Sequence, residues 1–443
     1  MKPAHSLLLT RSFCLVLVFS SQNAPLFLLA QSEGSPANSP YGLIVSEIRI
    51  VGLHHTREEI VRGQLASEVG QPYTEANAME DRRWLDQLGV FSSIRFTPDV
   101  VDNKVLLIVE FQEIPRILPY PSINVTGENG LSAGFGLKAP SFLRRAIPLS
   151  LSGQFGPLTK AGLECQSPWR PRQRFWFDFH FDYRDRPNES FHYWENAGEL
   201  DFKAGTVLGQ RWRLGGRFAL TRMDSHEPGI TLSPDNRDFT PALGAVLQFD
   251  GRDLSSNPHR GWQVILGLTQ SGGFMGGDGN FVTAQFDLRR YQPLAARHVV
   301  ALFTYAALQS GTVGVDVPIY RTFTIGGPNT VRGWNQDARQ GNNQFLNTLE
   351  YRYDLLPPKS FRVHGYGFYL GVQLAAFGDL GTAWNGEEDF TRNMIGGGGF
   401  GVRLIIPFVD MIRFDFGFGQ SGQGLLRAFG IHEKAYYSSQ RVR

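Results

Sequence analysis

Few residues in this sequence have the types and spacing to do chemistry together, and most of them sit among glycines. Gly130-Leu-Ser-Ala-Gly134 has the spacing of a nucleophile elbow, which raises a serine hydroxyl on a strand–turn–helix corner. Here the serine opens an alternating segment with no helical pattern after it, so acyl transfer is not expected. Gly396-x-Gly-x-x-Gly401 has dinucleotide-binding spacing, but Val402-Arg-Leu-Ile-Ile406 reads as a strand ended by Pro407. The helix N-terminus that would hold a pyrophosphate is missing from that pattern. His54-His55 falls in a turn and reads as solvated. Cys14 lies in the leader, which leaves Cys165 alone, so neither an internal disulfide nor a Cys/His zinc set is expected. No catalytic residue, metal or cofactor is predicted.

The remaining candidate is an arginine. Phe323-Thr-Ile-Gly-Gly-Pro-Asn-Thr-Val-Arg-Gly-Trp334 holds three glycines, a proline and an asparagine between two segments that read as strands. Such a stretch cannot be a regular element. It can make a tight tip that delivers the planar five-donor head of Arg332 to a carboxylate. Whether it does so, or is simply a solvated loop, depends on the elements around it.

The composition favours strands. The 443 residues include 50 glycines, with 13% aromatic and 19% charged residues. Lys+Arg number 43 against 41 Asp+Glu, and that near balance supports neither a nucleic-acid nor a polybasic membrane-surface reading. Residues 1–30 read as an export signal, with Lys2 and Arg11 ahead of or within apolar stretches at Phe13–Phe19 and Leu26–Ala30. The break at Ser20–Pro25 argues against a spanning helix. A Ser/Pro/Gly-rich linker over 31–41 follows.

Residues 42–115 read as a compact α+β module. Ile48 and Ile50 alternate with Arg49 in a strand ended by Gly52. Thr56-Arg-Glu-Glu59 has capping-box spacing before a helix through Ile60, Val61 and Leu65 that Gly70 would stop. Thr74 would cap a second helix with Met79, Trp84, Leu85 and Leu88 on its apolar face and Gly89 at its end. Strands at Phe91–Thr97 and Val105–Phe111 follow, with Asp102-Asn103 turning between them.

From about residue 116 to 443 the period is two. Phe175, Phe177, Phe179, Phe181 and Tyr183 share one face, opposite Trp176, Asp178, His180 and Asp182. The same alternation places Val264, Leu266 and Leu268 outward, and Phe281, Ala284, Phe286 and Leu288 outward against Gln285, Asp287 and Arg289. Phe414, Phe416 and Phe418 oppose Arg413 and Asp415. Turns are read at Glu128-Asn-Gly130, Gly251-Arg-Asp253, Gly276–Gly279 and Pro357-Pro358. Aromatics on one face and charges on the other fit lipid outside and a wet lumen inside, in a closed antiparallel barrel of about 16 strands.

In that frame the arginine loop falls between strands eleven and twelve. Glu350 on strand twelve points inward, between the outward Leu349 and Tyr351. Phe377 and Asp379 on the next strand also face in. Arg332, with Val331, Gly333 and Trp334, is therefore predicted to fold into the lumen and clamp onto Glu350 and Asp379.

The residues also carry a family resemblance. The Gly70-x-Pro-Tyr73 turn and Leu88–Phe96 resemble a POTRA domain, of which the chain would carry one copy. Val331-Arg-Gly-Trp334, Phe377-Gly-Asp-Leu-Gly381, Asp250-x-Arg-Asp253 with Pro258 and Gly261, and Gly399–Arg403 resemble the signatures of the outer-membrane assembly-factor superfamily, the BamA/TamA-like surface-antigen barrels. The ending Ser438–Arg443 departs from the family's usual terminal aromatic. The resemblance implies a bacterial outer-membrane protein with its POTRA in the periplasm and no enzymatic activity. It further implies an insertase or translocase whose partners are unfolded outer-membrane or secreted polypeptides, the lipid bilayer and accessory periplasmic proteins. Clients would be received at the POTRA sheet edge around Phe91, Ile94 and Phe96 by strand addition. The alternatives are a secretion pore for one dedicated polypeptide and a structural or lipid-handling surface barrel.

Overall fold

The computed structural model describes residues 39–432 apart from short gaps at 127–129, 169, 171–172, 189–192, 255–256, 387, 407–409 and 422–423. The segments read as export signal and linker (the latter up to residue 38), the turn expected at Glu128 and the C-terminal Ser438–Arg443 lie outside the described residues. Two sheets dominate: one of three strands and one of sixteen.

The small module begins with strand β1 (Ile44–Val51), followed by helices α1 (Glu58–Arg62) and α2 (Glu75–Asp86) and strands β2 (Phe91–Val101) and β3 (Lys104–Glu113). The sheet order is β1-β3-β2, with β1 parallel and β2 antiparallel to β3. Val61, Leu85, Val105, Leu107 and Val109 are fully buried in its core. Asp102 and Asn103 both take positive φ, 49° and 60°, as a tight two-residue hairpin turn requires. Thr74 caps α2 by accepting from the Asn77 amide at 3.1 Å.

Three sequence expectations fail here, each for a local reason. The capping box at Thr56 does not form: Arg57 is the N-cap and makes no side-chain cap bond. The Glu113 carboxylate on β3 instead ties down the turn that leads into α1, accepting from the amides of His54, His55 and Thr56 at 2.8, 2.7 and 2.7 Å. Helix α1 ends at Arg62 with Gly63 as its cap, short of Gly70. Met79 is exposed, because α2 presents only Trp84 and Leu85 squarely to the core. Between the helices the buried Asp81 accepts from the Ser67 amide and hydroxyl. Burial pushes its carboxyl above the usual range, against the pull of those hydrogen bonds.

The large sheet is an antiparallel meander, each strand pairing with the next in sequence. Its first strand is Leu118–Thr126 and its last Gly424–His432. Strand eleven is His298–Gln309, twelve Asn343–Val363, thirteen Tyr366–Trp384, fourteen Ile395–Ile406 and fifteen Asp410–Ser421. The burial pattern is inside out: acids, arginines and threonines are buried, while leucines and phenylalanines are exposed. A water-soluble core would sort them the other way, and this sorting suits a lipid exterior. No helix among the described residues is long and apolar enough to cross a membrane, which has no bearing on strands. The first and last strands come near each other, but no ladder is registered between them among the described residues.

Two details of phase differ from the sequence reading. Phe281 is buried on the lumenal face with Thr283 and Gln285, because the period of that strand (Asn280–Ala295) runs unbroken through it. Pro357-Pro358 is not a turn. It lies inside strand twelve where the register shifts, and the chain reverses beyond it at His364-Gly365, both with positive φ. The hairpin of strands twelve and thirteen is therefore long, and its end packs on the small module. Ser360 Oγ donates to the Ser92 carbonyl, and the Tyr366 ring stacks near His55. The module also meets the turn after strand two, where the Arg57 amide donates to the Arg144 carbonyl at 3.3 Å. It meets the turn after strand eight as well, where Arg83 Nη2 lies 3.4 Å from the Asp250 carbonyl.

Candidate functional site: the lumenal arginine clamp

Residues 310–342 leave strand eleven and return to strand twelve through the interior. A short ladder, Phe323–Ile325 with Arg339–Gly341, stiffens the base of the arm. Its tip is closed by Thr330, whose Oγ accepts from the Gly326 amide at 2.8 Å and donates to the Gly326 carbonyl at 2.6 Å. Ile325, Val331 and Trp334 pack on the lumenal wall with Phe303, Leu346 and Ile395.

Arg332, 2% exposed, stands at the centre. Its Nε donates to Asp379 Oδ2 at 2.6 Å and its Nη2 to Oδ1 at 2.8 Å, a two-point fork, while its backbone amide also donates to Oδ2 at 3.1 Å. Its Nη1 reaches Glu350 Oε2 at 3.2 Å. The guanidinium carbon lies 3.2 Å from the centroid of the Phe377 ring, so the cation has an aromatic face as well. The structure thus brings together Arg332, Glu350, Phe377 and Asp379.

The network extends further than those four. Glu350 also accepts from Arg352 Nε at 2.8 Å and Arg403 Nη2 at 3.1 Å. Asp415 accepts from Arg403 and from Arg413 Nη1 at 3.4 Å, and lies 3.6 Å from Arg332. Arg413 Nη2 returns to the loop at Asn329 Oδ1, 3.2 Å away. Three arginines and three carboxylates on strands twelve to fifteen therefore surround Arg332 and hold one loop tip. Glycines make the approach possible. A Cβ at Gly397 would sit 2.0 Å from the Arg332 carbonyl, and one at Gly417 would sit 2.5 Å from the Gly333 amide. Gly333 itself has φ 94°. Trp334 finishes the seat by donating from Nε1 to the Gly396 carbonyl at 2.8 Å.

A second anchor has no motif to announce it. Arg321, on the other arm of the loop, donates from Nη2 to Thr221 Oγ at 2.7 Å and lies 3.5 Å from Glu199. Tyr320 packs beside Tyr193, Ala197 and Met223. These are residues of strands six (Tyr193–Leu208) and seven (Trp212–Ser225), about half the sheet away from the Arg332 seat. One loop thus spans from one wall to the other.

Family models match both parts of the chain. Residues 142–426 match the Omp85 superfamily domain, and residues 43–113 match the surface antigen variable number repeat, a POTRA module. The chain belongs to the Omp85 superfamily. It is 25% identical over 228 residues to an outer membrane protein assembly factor BamA of Nitratidesulfovibrio vulgaris, a match covering 48% of this chain and 27% of that one. It is likewise 25% identical over 325 residues to a sorting and assembly machinery component 50 homolog B of Xenopus laevis, covering 66% and 65%. The chain therefore spans about a quarter of the first relative and somewhat under two thirds of the second. Its fold resembles BamA of Haemophilus ducreyi lacking POTRA domains 1–3 (TM-score 0.55, 15% identity, 88% and 84% covered). It also resembles CdiB of Acinetobacter baumannii (TM-score 0.54, 14% identity, 88% and 74% covered).

The residues assigned to client binding are placed differently from the clamp. Ile94 is buried in the module's core, and Phe91 and Phe96 pack against it. A register shift between Phe91 and Ser93 puts all three on the inner face. What β2 offers as an edge strand is backbone, and at Ser92 that backbone already meets Ser360. Gly130–Gly134 and Gly396–Gly401 both lie within strands with no helix following.

Proposed function

We propose that this Omp85 protein assists the insertion of polypeptides into the outer membrane, its POTRA module on the periplasmic side and Arg332 serving as the clamp of its lumenal loop. The observation that carries the reading is the loop crossing the interior between the Arg321 and Arg332 seats. A lumen filled in this way gives a client no straight path through, whereas the first and last strands register no ladder with each other among the described residues. The likeness to assembly-factor relatives supports the same reading. Clients would arrive at the backbone edge of β2, where strand addition needs only free amides and carbonyls. The secretion alternative draws support from the CdiB-like fold.

Photo-cross-linkers at Arg95 on the β2 edge and at Ser122 on the first strand test this in cells. Trapping of outer-membrane barrel precursors at both positions is the expected result. Trapping of one secreted polypeptide at lumenal Thr348, with none at Ser122, would establish the secretion reading instead.

A further inference from the structure

The chain's near-neutral charge conceals a segregation along the barrel axis. In a meander whose first strand leaves the small module, the turns after strands two, four, six, eight, ten and twelve all lie at the module's end. The first five carry an exposed arginine, Arg144, Arg174, Arg211, Arg260 and Arg297 respectively, and Arg362 stands exposed on strand twelve two residues before the last turn. None of the six makes an ion pair among the described residues, and the carboxylate described in those turns, Asp253, is half-buried and taken up by the amides of Leu254, His259 and Arg260. At the opposite end the exposed acids Glu227, Asp235, Glu388 and Asp389 stand among the exposed arginines Arg237 and Arg392.

The arginines stand beside outward-facing aromatics. Arg174 precedes Phe175, Arg211 precedes Trp212, and Arg260 is followed after one glycine by Trp262; all three rings are exposed on the outer face. Aromatic girdles mark the two interfaces of a transmembrane barrel, and a guanidinium one residue beyond reaches phosphate oxygens. The hairpin of strands twelve and thirteen prolongs the pattern. Its outward face carries Phe361, Tyr366, Phe368 and Leu370 in line with Leu374, with Phe361 and Phe368 stacked at 6.1 Å. The outward run from Tyr366 to Leu380 exceeds the about 9–11 residues a tilted strand needs to cross hydrocarbon. Its excess therefore lies in the interface, while the other face of the hairpin holds the small module at Ser92.

We infer that this arginine-and-aromatic rim is a docking surface for anionic phospholipid headgroups of the leaflet on the module's side. The inference rests on the membrane placement proposed above and adds to it a lipid class and the residues that select it. A cation at an anionic surface is worth about a fivefold gain in binding, so six in a ring give a strong preference for anionic over zwitterionic lipid. Continuity with the lipid-facing belt is what commits the surface to lipid rather than to a protein partner.

The full chain, purified in neutral detergent, is titrated with phosphatidylglycerol, with phosphatidylcholine of the same acyl chains and with inorganic phosphate. Retained lipid is read by native mass spectrometry and unfolding temperature by scanning. Phosphatidylglycerol should bind at least about tenfold better than phosphatidylcholine, with the preference reduced by salt, and phosphate should do nothing. Arg174→Gln, Arg211→Gln, Arg260→Gln and Arg297→Gln combined should abolish the preference. The corresponding four lysine substitutions should keep it, as should Arg237→Gln with Arg392→Gln at the opposite end. Equal binding of the two lipids, a preference that survives the glutamine variant, or a phosphate effect equal to that of the lipid would each overturn the proposal. Heat-modifiable mobility after reconstitution reads insertion separately. A chain that inserts into neither vesicle type removes the membrane placement and the rim with it, whereas one that inserts without headgroup preference removes the rim alone.

Discussion

At the scale of single residues, the clamp is a buried charge cluster, and its energetics follow from that. Breaking a buried pair leaves its partner charged and unsolvated, at a cost of about 3–5 kcal/mol. Arg332→Ala should therefore lower unfolding stability by about that amount and free the tip, seen as labelling of a cysteine placed at the buried Val331. Arg332→Lys should rescue little, because a point charge cannot make both bonds to Asp379. A double-mutant cycle with Asp379→Asn should show strong coupling; additive effects would mean that the fork contributes nothing specific. Gly397→Ala separates geometry from charge. Its Cβ would meet the Arg332 carbonyl, so the tip should lift although every charge remains, while Gly378→Ala, with nothing within 4 Å, should be silent. The sequence disclosed Glu350 and Asp379 because period two alone turns them inward on the strands next to the loop. It also turned Asp415 and Arg413 inward, but which inward residues meet depends on stagger accumulated over several strands, and no local pattern carries that.

At the scale of elements, alternation was legible wherever one face met lipid and the other water, and this held for the strand count and the place of the loop. It failed at Phe281, where an aromatic side chain suggested an outward position that the period of its own strand forbids. It failed again at Pro357-Pro358, since proline at an irregular edge of a strand looks like a turn in sequence. The helix start in the small module shows the same limit. Thr56 has the right spacing to cap α1, yet Arg57 takes the N-cap position and the turn before it is held by Glu113, 57 residues from Thr56 in sequence. Glu113→Ala should destabilise the module by about 1–3 kcal/mol, because three amides lose a charged acceptor, and Thr56→Ala should cost far less. Denaturant-dependent amide protection in α1 and β3 of the full chain would measure both. A larger loss from Thr56→Ala would restore the capping-box reading.

At the scale of the whole molecule, composition averages over features that topology separates. A net charge of +2 points to no membrane-surface patch, yet the meander lines the turns of one end with exposed arginines and leaves acids and arginines mixed at the other. The loop likewise gains its meaning only from where its two arms land. Arg332 holds one arm to strands twelve to fifteen and Arg321 the other to strands six and seven, so the loop is a strut across the interior rather than a flap on one wall. The two seats differ in strength. Arg332 is enclosed by carboxylates, whereas Arg321 has one hydroxyl and a longer contact to Glu199, which also lies 3.9 Å from Arg217. Releasing the Arg321 arm alone should leave the tip seated and produce brief openings in planar-bilayer recordings. Arg321→Ala together with Arg332→Ala should produce sustained, larger conductance, because nothing then holds the strut at either wall. If the double variant conducts no more than the parent, something other than these two arginines fills the interior, and the strut no longer accounts for a sideways exit of clients.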